Sequence, residues 1–185
     1  ETARAIYDHA CETFPSKKSL WLRRAQMERK HGTAETLENV LSKAVRFCRQ
    51  SDILWLMYAK HKWVQGNVPA ARQILSEAFA CLPGNEQIYL AAVKLEKEND
   101  HIDLARDVLK KARDNAATER VWMKSALLER ECKNEIEEKN LLVSGIAKFP
   151  KFPKLYLMLG QLYQRENVWS EAKSVYLEAL KNCPE

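Results

Sequence analysis

The stretch DILWLMYAKHKWVQGNVPAARQILSEAFACLP, residues 52–83, is one unit of a repeat that runs through the chain. An aromatic residue returns every 33 or 34 positions, as Trp21, Trp55, Tyr89, Trp122 and Tyr156. A second position returns with the same period and is usually alanine: Ala3, Leu37, Ala71, Ala105, Glu138 and Ala172. A fixed period of about 34 residues is typical of helical solenoids, so the repeat decides the fold.

Each repeat contains two helical patterns. Helix A has an aromatic residue, a small residue four positions later and, in three repeats, a glutamate seven positions later, all on one face. Its signature residues are Trp21, Ala25, Glu28, Trp55, Ala59, Tyr89, Glu96, Trp122, Ala126, Glu129, Tyr156 and Gly160. Helix B has an apolar pair at its fourth and fifth positions and a small residue at its eighth, which are Ala10, Ala44, Ala78, Ala112, Gly145 and Ala179. The small residue predicts a close approach of helix B to helix A.

Turn-forming residues separate the two patterns. Between A and B lie Gly32, Gly66, Asn99, Asn134 and Asn167, residue types that tolerate a left-handed backbone. The B patterns are followed by Pro15, Pro83, Pro150 and Pro184, which end helices. The sequence thus predicts five A helices and six B helices connected by short turns.

These patterns predict an all-α fold, a right-handed superhelical solenoid of antiparallel helix pairs. Residues 1–185 are expected to form a single array of about five and a half hairpins. The chain opens within a hairpin, and both of its ends resemble ordinary interior B helices. We therefore expect it to be a fragment of a longer array.

Composition excludes several classes of protein. The five cysteines are odd in number and form no CxxC pair, which favours free thiols in a reducing compartment over a disulfide framework. No run of about 18 apolar residues occurs, and no signal-peptide pattern opens the chain, so we expect a soluble intracellular protein. The net charge of +5 leaves nucleic acids and acidic proteins open as partners.

The repeat resembles the tetratricopeptide pattern in its period and hairpin logic, but it places Glu28, Glu96 and Glu129 seven residues after the aromatic. An aromatic, a small residue and then glutamate on helix A is similar to the HAT (half-a-tetratricopeptide) repeat. The segments FPSKKSLWLRRAQMERKHGT and IYLAAVKLEKEND resemble, in particular, HAT arrays of scaffold proteins in the spliceosomal tri-snRNP. The least similar stretch is the one containing Glu138 and Gly145.

The resemblance implies a nuclear scaffold in pre-mRNA splicing that assembles or holds the tri-snRNP through protein–protein contacts. It implies other spliceosomal proteins as partners, with RNA contacted indirectly or weakly and with possible self-association of the fragment. Neither a membrane, a small-molecule substrate, a cofactor nor a metal is expected.

Catalytic motifs are missing from the sequence. Phosphate-binding glycine loops do not occur, and the four histidines lack metal-binding spacing. The helix A glutamates could suggest acid catalysis, but their recurrence favours hydrogen bonds between helices. We expect no enzymatic activity.

Two tryptophans depart from the repeat. Trp63 occupies a position that is Arg29, Lys97, Arg130 or Gln164 in the other repeats, so it is a candidate anchor for a partner. The alternative is that a long loop or an unusual neighbour covers it. Trp169 lies in the last A-to-B turn, where the other repeats are mostly apolar, which favours a packed staple over a contact with a partner.

Helix A lines the concave groove in tetratricopeptide-like arrays. By analogy, we predict a partner-binding groove, and its residues are Arg29, Lys60, Trp63, Lys94, Lys97 and Arg130. Its cations suit an acidic peptide or a phosphate backbone. The alternatives are a merely solvated charged face and a groove that binds RNA directly. The presence of one exposed tryptophan, rather than repeated aromatic platforms, favours protein over single-stranded RNA.

Overall fold

The computed structural model describes residues 2–183 and contains within them eleven α-helices and no strand. The helices are α1 (Thr2–Thr13), α2 (Lys18–His31), α3 (Ala34–Phe47), α4 (Asp52–Val64), α5 (Val68–Cys81), α6 (Glu86–Glu98), α7 (Ile102–Asn115), α8 (Glu119–Glu131), α9 (Glu135–Lys148), α10 (Pro153–Arg165) and α11 (Trp169–Asn182). The all-α prediction is confirmed. Pro184, which was predicted to end the last B helix, lies outside the described residues.

The even-numbered helices are the five predicted A helices, and the odd-numbered helices are the six predicted B helices. Contacts divide the chain into two compact units, the first ending at His101 and the second beginning at Ile102. In the first unit α2 packs on α3 and α4 on α5; in the second, α8 packs on α9 and α10 on α11. The single array over residues 1–185 stays a prediction.

The left-handed turn residues follow the prediction in part. Gly66 (φ 79°) and Asn167 (φ 60°) adopt the predicted left-handed backbone. The prediction for Asn99 is wrong by one residue, because Asp100 (φ 61°) takes the left-handed position instead.

Two further turns correct the prediction. Lys133 is left-handed (φ 58°), whereas Asn134 is the N-cap of α9, where its side chain accepts a hydrogen bond from the backbone of Glu137. Gly32 is extended (φ −99°), so it is not required for a left-handed turn. A Cβ atom at this position would collide with the Glu28 carboxylate. Glycine is therefore needed here because that side chain approaches the backbone closely.

In each unit the core lies between neighbouring helices. All of the signature residues are buried, and Ala44, Ala78 and Ala112 have no exposed surface, as the predicted close approach requires. Trp169 is 62% exposed at the first position of α11, so its interpretation as a packed staple is wrong. The two unpaired thiols that share a repeat position, Cys48 and Cys183, each lie 3.6 Å from a proline carbonyl one repeat earlier.

Candidate functional site

Three of the signature aromatics, Trp21, Trp55 and Tyr156, have polar atoms that bind the loop before their A helix. The Trp21 Nε1 donates to the Pro15 carbonyl at 2.7 Å, and the Tyr156 hydroxyl donates to the Pro150 carbonyl at 3.0 Å. The Trp55 Nε1 likewise donates to the carbonyl of Arg49, six residues earlier, at 2.9 Å. Each ring is therefore held in one orientation while it fills the space between neighbouring helices.

The helix A glutamates bind arginines of the preceding B helix. We call this ion pair a clasp; its arginine follows the recurring alanine of helix B. In the first unit Arg72 Nε and Nη2 donate to the two Glu96 oxygens at 2.7 Å each. The other bidentate clasps are Arg4 with Glu28, at 2.9 and 3.0 Å, and Arg106 with Glu129, at 2.8 and 3.0 Å. The predicted role of these glutamates in bonds between helices is thus observed.

The remaining two junctions use other side chains at the same positions. Glu38 of α3 takes the arginine position and Lys62 of α4 the glutamate position, so the charges are exchanged, with Nζ and Oε1 2.5 Å apart. Between α9 and α10, Lys139 Nζ lies 4.5 Å from the centroid of the Tyr163 ring. Within residues 2–183, the side chains at these two positions therefore contact each other at all five junctions from helix B to helix A, four times as an ion pair and once as a cation–π contact.

Hydrogen bonds within the clasps shift pKa values towards the ionised forms. The hydrogen bond from Arg4 holds the pKa of Glu28 below its usual range, outweighing burial, which acts in the opposite direction; the Thr36 hydroxyl also donates to this carboxylate. Hydrogen bonds to Glu96 and Glu129 raise the pKa of Arg72 and Arg106. A carboxylate held in this way at Glu28 is a structural anion rather than a proton donor.

Glu138 forms a second kind of ion pair, which the sequence did not predict. It replaces the recurring alanine in α9 and has no exposed surface. Arg130 Nε and Arg165 Nη2 donate to its two oxygens, each at 2.7 Å. A glutamate at a position that is usually alanine was the sequence signal for this cluster.

The predicted groove residues differ in their surroundings. Arg29, Lys60, Lys94 and Lys97 are exposed on α2, α4 and α6 of the first unit, and Trp63 is half-buried on α4. Arg130 belongs to the second unit. Its guanidinium donates hydrogen bonds to the Glu138 carboxylate, to the Met158 carbonyl and to the Gln161 side chain. Its charge is therefore already paired within that unit.

A cleft lies beside Trp63 in the first unit. It is bounded by α4 and α6, has residues of α5 at its base and encloses about 340 Å³. Its lining is mainly apolar, and the predicted groove residues Lys60, Trp63 and Lys94 are part of it. The structure thus brings three of the predicted residues together around one cavity.

No three His, Cys, Asp or Glu residues within 2–183 come together as a metal-binding group. No helix of the described chain is long and apolar enough to cross a bilayer.

Comparison with known proteins gives a consistent family. Residues 1–125 match the family model described as the pre-mRNA-splicing factor Syf1/CRNKL1 C-terminal HAT repeat. The chain is 36% identical over 184 residues to the pre-mRNA-splicing factor prp1 of Schizosaccharomyces pombe, which covers 100% of this chain and 20% of prp1. It is 31% identical over 83 residues to human pre-mRNA-processing factor 39, covering 43% of this chain and 12% of that protein. The chain thus spans about a fifth or less of the length of these relatives.

Solved structures show the same fold at low identity. YrrB, described as a TPR protein with an unusual peptide-binding site, superposes with a TM-score of 0.55 at 12% identity, over 97% of this chain and 93% of that one. At this identity the likeness shows the fold alone, which is a TPR-like helical repeat.

Proposed function

This chain belongs to the HAT-repeat family of pre-mRNA-splicing factors, and on that premise we propose that it is a non-catalytic scaffold that holds protein partners in the splicing machinery. The finer assignment is to the tri-snRNP in the nucleus. It is supported by the similarity of the repeats to the C-terminal HAT array of pre-mRNA processing factor six, a bridging protein of that particle.

The observation that carries the proposal is the clasp. Buried glutamates that could suggest acid catalysis are bound by arginines between hairpins, as in Arg72 with Glu96. The functional groups of the repeat thus fix one helix against the next. Such an array holds its exposed side chains at fixed positions, which is what a docking surface requires.

The alternative is direct RNA binding by the exposed cations of the A helices. Arg29, Lys60, Lys94 and Lys97 would suit phosphates. Single-strand binders, however, usually stack successive bases on several aromatic rings. Trp63 is one half-buried ring beside Lys60 and Lys94, which favours a protein partner.

Affinity purification from nuclear extract, with and without RNase, tests the proposal. We expect the tagged chain to capture tri-snRNP proteins, identified by mass spectrometry, and to retain them after RNase treatment. Loss of all of these proteins after RNase would favour the RNA alternative. Capture of no splicing proteins under either condition would contradict the scaffold proposal.

A further inference from the structure

The cleft between α4 and α6 has an apolar lining and a volume at the lower end of the range of about 300–1,000 Å³ that is usual for binding pockets. Leu56 and Trp63 of α4 form one wall, and Leu90 and Ala91 of α6 form the other. These four residues are each half-buried, so the apolar surface is partly accessible from outside. Ala71 of α5 lies at the base.

Two alanines leave this space open. Ala71 and Ala91 both line the cleft. One repeat earlier, the equivalent positions are Leu37 and Met57, which are larger side chains. Both side chains are therefore smaller than those one repeat earlier; at position 71 alanine is the usual residue of the repeat and Leu37 is the exception.

Trp63 also distinguishes this repeat from the others. In the second unit its position is Arg130, which binds Glu138, and Glu138 occupies the position of Ala71. That pair places ionic groups at the two equivalent positions. In the first unit, Trp63 and Ala71 occupy these two positions, so this part of the cavity is apolar.

Cations lie at the edges of the cleft. Lys60 and Lys94 both line it and are exposed, and Lys94 Nζ lies 5.9 Å from the centroid of the Trp63 ring. Lys94 also lies 3.5 Å from Glu98 on the same helix, a surface pair that a partner carboxylate can replace at small cost. No acidic side chain lines the cleft itself.

We propose that this cleft binds an acidic protein segment that inserts one large apolar side chain beside Trp63 and places flanking carboxylates on Lys60 and Lys94. The proposal rests on the scaffold function and specifies the chemistry of one partner. An apolar side chain matches the lining, while carboxylates match the two cations. A phosphate backbone would use the cations but leave the apolar cavity empty, so RNA fits less well.

A pair of fluorescein-labelled peptides provides the probe. The first is Glu-Glu-Leu-Glu-Glu, and the second has alanine in place of leucine. Fluorescence anisotropy against the full chain measures both affinities. We expect the leucine peptide to bind about tenfold or more tightly than the alanine peptide, because burial of the larger side chain supplies the difference. Equal affinities, or no binding of the leucine peptide, would overturn the proposal.

The variant Trp63→Arg gives a test of sign. Arginine occupies this position in α2 and α8, so the repeat accommodates it, and the substitution adds a positive charge. If the cleft anchors an apolar side chain, affinity for the leucine peptide falls about tenfold or more. If attraction is only electrostatic, the added charge strengthens binding, and the proposal is wrong.

Filling and charge variants complete the design. Ala91→Met places in the cleft the residue that position 57 already has, and we expect it to weaken leucine-peptide binding while leaving the alanine peptide unaffected. Lys94→Glu is expected to weaken binding of both peptides. Lys173→Glu, an equal charge change at an exposed residue of α11, is expected to leave affinity within about twofold. If Ala91→Met and Lys94→Glu both keep native circular dichroism and bind the leucine peptide with unchanged affinity, the proposal is overturned.

The outcomes separate this proposal from the scaffold function. If the peptide experiments fail but the nuclear-extract purification still captures RNase-resistant splicing proteins, only the cleft assignment is wrong. Labelled oligouridylate supplies the RNA control. If it binds the parent and the Trp63→Arg variant abolishes that binding, the cleft is an RNA site and the acidic-peptide assignment is overturned.

Discussion

Glu96 is a carboxylate that is 3% exposed between two hairpins, and its surroundings satisfy both of its oxygens. Arg72 binds them in a bidentate manner, and His101 Nδ1 lies 3.4 Å from one of them. A buried carboxylate without these donors would be strongly destabilising. The arginine, by contrast, stays partly in water, so the pair requires little desolvation of its cation.

Glu96→Gln tests the clasp at the residue scale. The substitution removes the charge but keeps the shape, and we expect it to lower the free energy of unfolding by about 1–2 kcal/mol. Urea denaturation measures the effect. Glu98→Gln, two residues along the same helix and exposed, is the matched control and should change stability by less than about 0.5 kcal/mol. Equal effects of the two substitutions would contradict a stabilising clasp.

Glu28 makes stability depend on pH. Its pKa in the folded chain is lowered, chiefly by the hydrogen bond from Arg4, so its stabilising contribution is present at neutral pH and is lost as pH falls below about 4. We expect the stability difference between the parent and Glu28→Gln, measured by urea denaturation, to shrink between pH 7 and pH 3. A difference that stays constant over this range would show that protonation of Glu28 does not matter.

Residue roles were predictable where the repeat itself supplied a comparison. Burial of Trp55 and Ala78 followed from their period, because a position that recurs with one chemistry faces one environment. The partners of the glutamates were not predicted, since the clasp joins residues 23 or 24 positions apart on different helices. The signal was present as an arginine after the recurring alanine, at Arg4, Arg72 and Arg106.

At the scale of the helical element, the junction between one hairpin and the next is a unit with its own charge order. Most junctions have an arginine on helix B and a glutamate on helix A, whereas Glu38 and Lys62 reverse this order. Both arrangements attract, so the two helices remain together in either case. A mixture of the two would place like charges in contact.

Exchange of charges tests whether Glu38 and Lys62 form the same contact as the other clasps. Lys62→Glu alone places two carboxylates together and should lower the free energy of unfolding by about 1 kcal/mol or more. Adding Glu38→Arg restores the common arrangement, and we expect it to recover most of the loss. A thermal-denaturation cycle of the parent, both single variants and the double variant measures the coupling. Additive effects would mean that the two side chains do not interact.

Helix boundaries were predictable because amphipathic periodicity and proline both act locally. The exact turn geometry was not. Asp100 and Lys133 take the left-handed positions, and neither side chain type signals this conformation as glycine does. The cleft beside Trp63 was predicted only as an exposed anchor, since its depth depends on Ala71 and Ala91 of other helices.

At the scale of the whole molecule, contacts between successive helices dominate in each of the two compact units. Stability in such repeats is approximately a sum of hairpin terms and nearest-neighbour terms. A change in one junction should therefore act close to that junction. The scaffold role depends on this property, because a partner bound at one hairpin need not disturb distant hairpins.

Hydrogen exchange with Glu129→Gln tests this locality. Loss of the clasp with Arg106 should reduce amide protection in α7 and α8, while α3 and α4 of the other unit keep the protection they have in the parent. Mass spectrometry of peptic fragments measures both regions in one sample. A uniform loss of protection along the chain would show that the molecule unfolds as one cooperative unit.

The reversed pair of Glu38 and Lys62 also limits which hairpins can be deleted or duplicated in the course of evolution. Deleting α4 and α5 would bring Glu38 against Glu96, and deleting α2 and α3 would bring Arg4 against Lys62; both are like-charge contacts. Deleting α2 to α5 together would instead pair Arg4 with Glu96, a favourable clasp. Recombination between hairpins is therefore constrained by charge as well as by length, and the two hairpins that flank the reversed pair are expected to be inherited together.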